Sequence, residues 1–315
     1  MDTKVHQENI IAASSPNRSA PDAANTSQMP QCPLCGGQKS EHAFFEEGYD
    51  LRRCQVCELF FIHPYPGVDE KHSHVSGYQY KEIEVLDASH SYAEAKHGDV
   101  FLEDILRDCS EARSVLDVGC GTGYLLERLA AYSHLRRVGI ELNHERAEFA
   151  RKVAGCEIFE IPVESFDTHE KFDIITLINV FSHIPSLDSL LNGLRRLLNP
   201  NGKLLIRTSE MQRGVNKWAQ FSWGIPDDIH FLGMGTLDYI CRRYDFCINK
   251  HVMHPFSEKA FQTNRWLAKG RSPAKNLLKQ IAVHTPLAMP LLRQFYKLIA
   301  GDKFYLSYIV LTLNL

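Results

Sequence analysis

No apolar run in this chain reaches the ~18 residues that a membrane-spanning helix needs; charge, His or Pro interrupts each one first. The start also lacks a basic stretch followed by an apolar core, so a secretory signal is not expected and the chain reads as cytoplasmic. A large excess of charge of one sign is lacking. A net charge of −3 over 315 residues gives no general pull toward nucleic acid or an anionic membrane. Residues 1–30 are short of apolar side chains and rich in Ser, Ala, Asn and Pro, the composition of a disordered tail. Beyond that tail, a hydrophobic fraction of 44% is enough for a real core.

What is present concentrates in two places. The first is Val115-Leu-Asp-Val-Gly-Cys-Gly-Thr-Gly123. Val115, Leu116 and Val118 read as a buried parallel strand. Gly119, Gly121 and Gly123 allow a sharp turn and the close approach of a ligand to backbone. Tyr124–Tyr132 has helical periodicity, so the turn opens onto a helix N-terminus. Glu141 closes the next strand, where a carboxylate can accept hydrogen bonds from both hydroxyls of a ribose. The unit is that of a nucleoside-containing cofactor. A dinucleotide fingerprint, G-x-G-x-x-G, would need a glycine at position 124, where Tyr124 stands.

The segment Asp117–Gly123 with Glu141 resembles the cofactor loop of class I S-adenosylmethionine-dependent methyltransferases. The resemblance continues through Phe172–Ile175, Asn179–Pro185 and Leu197–Ile206, and covers roughly residues 113–250. It implies an α/β, Rossmann-like, seven-stranded mixed sheet whose last strand, Tyr305–Leu313, inserts antiparallel between the fifth and sixth. It also implies roles. Asp117 would organise the glycine loop, and Gly119, Cys120, Gly121, Thr122 and Gly123 would carry the methionine end of the cofactor. Glu141 would hold the ribose and Leu142 would pack on the adenine. Val163 would lie beside that ring, and Asn179 would line the crevice at the carboxyl end of the fourth strand.

The second concentration is cysteine. Cys32-Pro-Leu-Cys35 and Cys54-Gln-Val-Cys57 are two C-x2-C knuckles at zinc-ribbon spacing. Four thiolates fill a tetrahedral Zn²⁺ shell with no open position, so the zinc reads as structural. Phe44-Phe45 and Leu59–Ile62 supply short strands beside it. So small a module has little core of its own, and metal would hold it folded. The segment resembles the N-terminal ribbon of class I methyltransferases that act on sugars and other biosynthetic small molecules, with Glu58 standing where glycine is common.

The remaining chain divides into a linker with N-terminal helices at 67–112, a methyltransferase core at 113–253, a helical insert at 254–303 and the last strand at 304–315, after a ribbon at 31–66. Tyr78, Tyr80 and Tyr92 in the linker are candidates to face a sulfonium. Trp223-Gly-Ile-Pro-Asp-Asp-Ile-His230 resembles a segment found after the fifth strand in this family, although Gly233 replaces the usual aromatic. His230 is the first candidate for a general base and His183 the second. Thr236 is expected to cap the following helix. Asn199–Gly202 is expected to separate a helix from a strand over Lys203–Thr208. Basic residues from Lys259 to Lys279 make the insert a candidate substrate lid, partner-docking surface or membrane-surface contact.

The expected activity is methyl transfer from S-adenosylmethionine to a small biosynthetic molecule such as a sugar, polyketide or quinone. Nucleic acid is an unlikely partner on charge, yet an RNA methyltransferase stays a rival. A nicotinamide-dependent oxidoreductase and a catalytically silent adaptor are the others. Oligomeric state has no signature in the sequence.

Overall fold

The computed structural model describes residues 30–46, 48–66, 110–215, 225–226, 228–255 and 303–314, with residues 86, 87, 90, 107, 291 and 294. The expected tail, the linker tyrosines and nearly all of the basic insert lie outside the described residues.

A seven-stranded sheet forms the centre. Its strands are β4 (Ser114–Val118), β5 (Arg136–Ile140), β6 (Glu157–Phe159), β7 (Phe172–Ile178), β8 (Leu198–Met211), β10 (Phe246–Pro255) and β11 (Phe304–Leu313). Their order is β10-β11-β8-β7-β4-β5-β6. The strands from β8 to β6 run parallel, and β11 lies antiparallel between β8 and β10, as expected. All five residues of β4 are buried, which suits the apolar Val115, Leu116 and Val118 and leaves Ser114 and Asp117 as buried polar groups.

Helices α1 (Tyr124–Arg128), α2 (His144–Ala154), α3 (Leu187–Leu197) and α4 (Thr236–Tyr244) complete the core. Asn143 starts α2 by accepting a 2.9 Å hydrogen bond from the Arg146 amide, and Gly155 ends it in the left-handed conformation. Ser186 caps α3, whose Leu187, Leu190, Leu191, Leu194 and Leu197 form one buried stripe. Burial stabilises each of these leucines by about 1.5–3 kcal/mol. One sheet face packs on α1 and α2, the other on α3 and α4.

Two local expectations are corrected. β8 begins at Leu198 directly after α3, and Asn199–Gly202 bulge against Asp173 alone, since Leu198 pairs with Phe172 while Lys203 pairs with Ile174. Asn201 takes φ 60°, and the Asn199 side chain donates a 2.7 Å bond to Asp173, so the bulge stays inside the sheet. Thr236 is the first residue of α4 and does not cap it. Its hydroxyl accepts from the Gly233 amide (2.9 Å) and donates to the Cys57 carbonyl (3.0 Å), two partners that lie outside the helix.

The ribbon strands β1 (Ser40–Glu46), β2 (Tyr49–Cys54) and β3 (Phe60–His63) form an antiparallel sheet whose fourth member is β9 (His230–Phe231). β9 belongs to the core by sequence. Immediately after it, Leu232 bridges to Glu210 and exchanges amide–carbonyl bonds with Ser209 and Met211 (3.1 and 2.7 Å). This occurs where β8 has outrun β7, whose last paired residue, Ile178, faces Arg207. The two sheets are therefore stitched together above the carboxyl end of β7. Cys32, Leu34, Cys54, Cys57, Leu59 and Phe61 of the ribbon share a hydrophobic core with Leu232, Leu237 and Ile240.

Candidate active site

The carboxyl ends of β4, β5 and β7 open onto one crevice, the usual place for a ligand in an open α/β sheet. Gly119 leaves β4 at φ 70°, and a Cβ there would meet Val180 Cγ2 at 2.4 Å. Gly121, at φ 57°, has no atom within 4 Å of the position its Cβ would take, so this part of the loop faces free space. A side chain at Gly123 would strike Ala150 of α2 at 2.9 Å.

Four amides of this loop are engaged within the protein. Those of Gly119 and Cys120 both donate to the Ile140 carbonyl (2.7 and 3.0 Å), and that of Gly123 donates to Cys120 (2.9 Å). The Gly121 amide donates to Glu141 Oε2 and the Asn143 amide to Glu141 Oε1, each at 2.9 Å. Both Glu141 oxygens are thereby fixed at the end of β5 with acceptor capacity left over. Leu142 beside it is 46% exposed, an unusual display for a leucine and one that leaves an apolar surface open at the crevice.

Asp117 lies beneath the loop, 3% exposed, and accepts a 2.6 Å bond from the Thr176 hydroxyl. Burial pushes its carboxyl up to about 7; the Thr176 bond opposes the rise, and the Glu141 charge adds to it. The Cys120 side chain turns inward, and burial raises its thiol well above the ordinary value. Thr122 is held from outside the loop. His90 Nδ1 lies 3.1 Å from its hydroxyl, and His90 Nε2 lies 2.7 Å from Glu127 Oε2 on α1. His90 also meets the rings of Tyr124 and Phe149. Nothing in the spacing of the linker singles out His90; its role depends on a contact across the fold.

Val163 is buried and begins a short 3-10 turn, so only its backbone is available to a ligand. Asn179 is exposed at the end of β7 with φ 58°, its amide donating to Arg207. The turn Phe181–His183 follows.

The two candidate bases occupy different environments. His230 is fully buried on β9, its Nε2 donating to the Ile184 carbonyl at 2.8 Å and its ring stacked on Tyr65. The His183 side chain is 41% exposed, and its Nδ1 lies 3.7 Å from Asp228 Oδ1. Asp228 was not visible as a partner in the sequence, because the two residues meet only when β9 folds over the β7 turn.

The four cysteines converge. Cys32 and Cys57 sulfurs lie 3.5 Å apart, as do those of Cys35 and Cys54, and all four sit within 4.8 Å of one another. None forms a disulfide. The Gly37 and Val56 amides donate to the Cys35 and Cys54 sulfurs (3.4 and 3.3 Å), placing amide dipoles against both knuckles.

The model of the family described as "Methyltransferase domain" matches residues 95–262, more than half of the chain. This chain belongs to that methyltransferase family. The methyltransferase is 36% identical over 138 residues to the ubiquinone biosynthesis O-methyltransferase of Histophilus somni, covering 40% of this chain and 57% of that one. It is 32% identical over 143 residues to the protein of the same name from Pasteurella multocida, covering 40% and 58%. The chain thus spans little more than half the length of the curated relatives it matches. Among solved structures, the O-methyltransferase of a trans-AT PKS multienzyme of Brevibacillus brevis, in complex with S-adenosyl-L-homocysteine, aligns at TM-score 0.50 with 18% identity. That alignment covers 79% of this chain and 81% of the other. A phosphoethanolamine N-methyltransferase of Haemonchus contortus aligns at TM-score 0.52 with 16% identity, covering 81% and 63%. These two likenesses establish the class I methyltransferase fold. Among the described residues, no helix is long and apolar enough to cross a membrane.

Proposed function

We propose that this methyltransferase binds S-adenosylmethionine and methylates a hydroxyl of a small biosynthetic molecule. The observation that carries the reading is the Glu141 carboxylate, held by the Gly121 and Asn143 amides beside a glycine loop with open space at Gly121. Glu141 would accept from the ribose hydroxyls, Leu142 and the Val163 backbone would bound the adenine, and Gly119–Gly123, Thr122 included, would face the methionine end. The amino group of the cofactor, a donor, would be met by backbone carbonyls of the loop. Asn179 would line the passage to the acceptor. When bound, the cofactor supplies an electrophilic sulfonium methyl.

His183 is the better placed general base. Its side chain is accessible at the carboxyl end of β7, and Asp228 lies within ion-pair reach of its Nδ1, which would steady the charge gained on taking the acceptor hydroxyl proton. His230, buried and donating to Ile184, acts as a positioning residue for the same turn. The choice of a hydroxyl acceptor is supported by the O-methyltransferase relatives and by the exposed His183 imidazole beside Asp228.

The four cysteines fit Zn²⁺. A tetrahedron with Zn–S near 2.3 Å has sulfur–sulfur edges of roughly 3.8 Å, and the observed pairs at 3.5 Å are already close to that spacing. The closed thiolate set suits a structural ion.

The test is incubation of the zinc-loaded chain with methyl-labelled S-adenosylmethionine and a metabolite extract. A labelled O-methyl product is expected, with the rate falling ~100-fold or more in His183→Ala, the scale of general-base catalysis. Label appearing only in RNA or protein, or an undiminished rate in that variant, would contradict the reading.

A further inference from the structure

Glu58 is the residue by which this ribbon departs from the pattern it resembles, and it sits at φ 62°, where glycine would be relaxed. Its side chain reaches three parts of the molecule. Oε1 accepts from Arg53 Nη1 within the ribbon (2.8 Å) and from Arg213 just past β8; Oε2 accepts from the Gly235 amide before α4 (3.1 Å). Arg53 is itself buried and also held by Glu41 at 2.7 Å. Beside this contact the Cys57 carbonyl accepts from the Thr236 hydroxyl. A Cβ at Gly233 would lie 2.0 Å from the Glu58 carbonyl oxygen. Gly233 is the second departure from the resembled pattern, and the two positions meet in space.

Between these fastenings runs the segment that forms the acceptor side of the crevice. β3 pairs with β9, the Ile62 amide donates to Ile229 (3.2 Å), the Ile229 amide donates to Ser182 (2.8 Å), and His230 donates to Ile184. Asp228 faces His183 from the same segment. The glycine loop and Glu141 are held by one another and by Ile140, Asn143 and His90.

We infer that Glu58 is a positioning residue through which the metal-bound ribbon holds residues 228–236 over the His183 turn, governing the acceptor half of the site and not the cofactor half. This rests on the site assignment proposed above. It predicts that loss of the metal or of the Glu58 carboxylate loosens β9 while the cofactor cradle stays intact.

Glu58→Gly separates this role from plain stability, because glycine relaxes the left-handed backbone while removing the carboxylate. Thr236→Val removes the neighbouring bond to the Cys57 carbonyl while leaving every ribbon residue in place. The measurement is amide hydrogen exchange at Ile229 and Leu232 in the full chain, with calorimetric binding of S-adenosylhomocysteine as the control. In Glu58→Gly, Thr236→Val and the chelator-stripped protein, exchange at both amides is expected to rise at least tenfold, with the dissociation constant for S-adenosylhomocysteine within twofold of the parent. Unchanged exchange would show that the core alone holds β9 and would overturn the inference. A parallel loss of S-adenosylhomocysteine binding would also overturn it, by making the ribbon a support for the whole fold. Failure of the unmodified, zinc-loaded chain to bind S-adenosylhomocysteine would instead sink the functional reading beneath it.

Discussion

At the scale of residues, the site is a contest between burial and charge, and Asp117 shows it most sharply. Its carboxyl, raised to about 7, binds a proton in the folded chain more tightly than in the unfolded one. That linkage costs the ligand-free fold nothing below the unfolded value near 4, and the cost grows until pH passes about 7. Asp117→Asn retains an acceptor for the Thr176 hydroxyl and removes the penalty. The variant should therefore gain stability relative to the parent at pH 8.5, by roughly 2–4 kcal/mol, and much less at pH 5. Thermal melts at the two pH values check this; an equal difference at both would refute it. The sequence singled out the same residue as organiser of the loop; its hydrogen bond runs instead to Thr176, and the Gly119, Cys120 and Gly121 amides are held by Ile140 and Glu141. His90 and Asp228 were not legible, since each meets a partner far away along the chain, Thr122 for one and His183 for the other.

At the scale of elements, periodicity carried far and stopped where pairing takes over. The strands of the parallel sheet and the stripe of α3 stand out because burial on both faces, or on one helical face, writes itself into the order of apolar residues. β2 did not stand out: Arg52 and Arg53 interrupt it, and their side chains are accommodated through Asp50 and Ser40 for the first and through Glu41 and Glu58 for the second. β9 has two residues and no pattern to read; it exists because β3 on one side, and β8 through Leu232 on the other, supply its partners. The expected cap at Thr236 failed for a related reason, as its hydroxyl serves the ribbon. This junction has no slack at Gly233. Gly233→Ala places a methyl 2.0 Å from a backbone carbonyl that no side-chain rotation can move. A loss of about 2–4 kcal/mol is expected, read from denaturant midpoints. A loss below about 0.5 kcal/mol, the scale of a bland surface change, would mean the junction is looser than described.

At the scale of the whole molecule, the chain is a class I methyltransferase fold with a cysteine ribbon knitted into its upper edge. The ribbon was legible as a module from its knuckles; its continuity with the core was not, since that depends on the pairing of β3 with β9, on the bonds of Glu58 and Cys57 to residues 213–236 and on a shared apolar surface. The purified full chain should carry one zinc per molecule by elemental analysis. Cys35→Ser should lower that occupancy and shift the midpoint of thermal unfolding down, because metal affinity for the folded site is folding free energy. Full occupancy in that variant would contradict the four-cysteine assignment. The central claim, however, is the nucleoside cradle, and calorimetric titration of the zinc-loaded chain with S-adenosylhomocysteine tests it most directly. The account predicts one site per chain, weakened in Glu141→Ala by about 1.5–3 kcal/mol for each charge-assisted bond lost; no binding by the parent chain, or equal affinity in the variant, would contradict it.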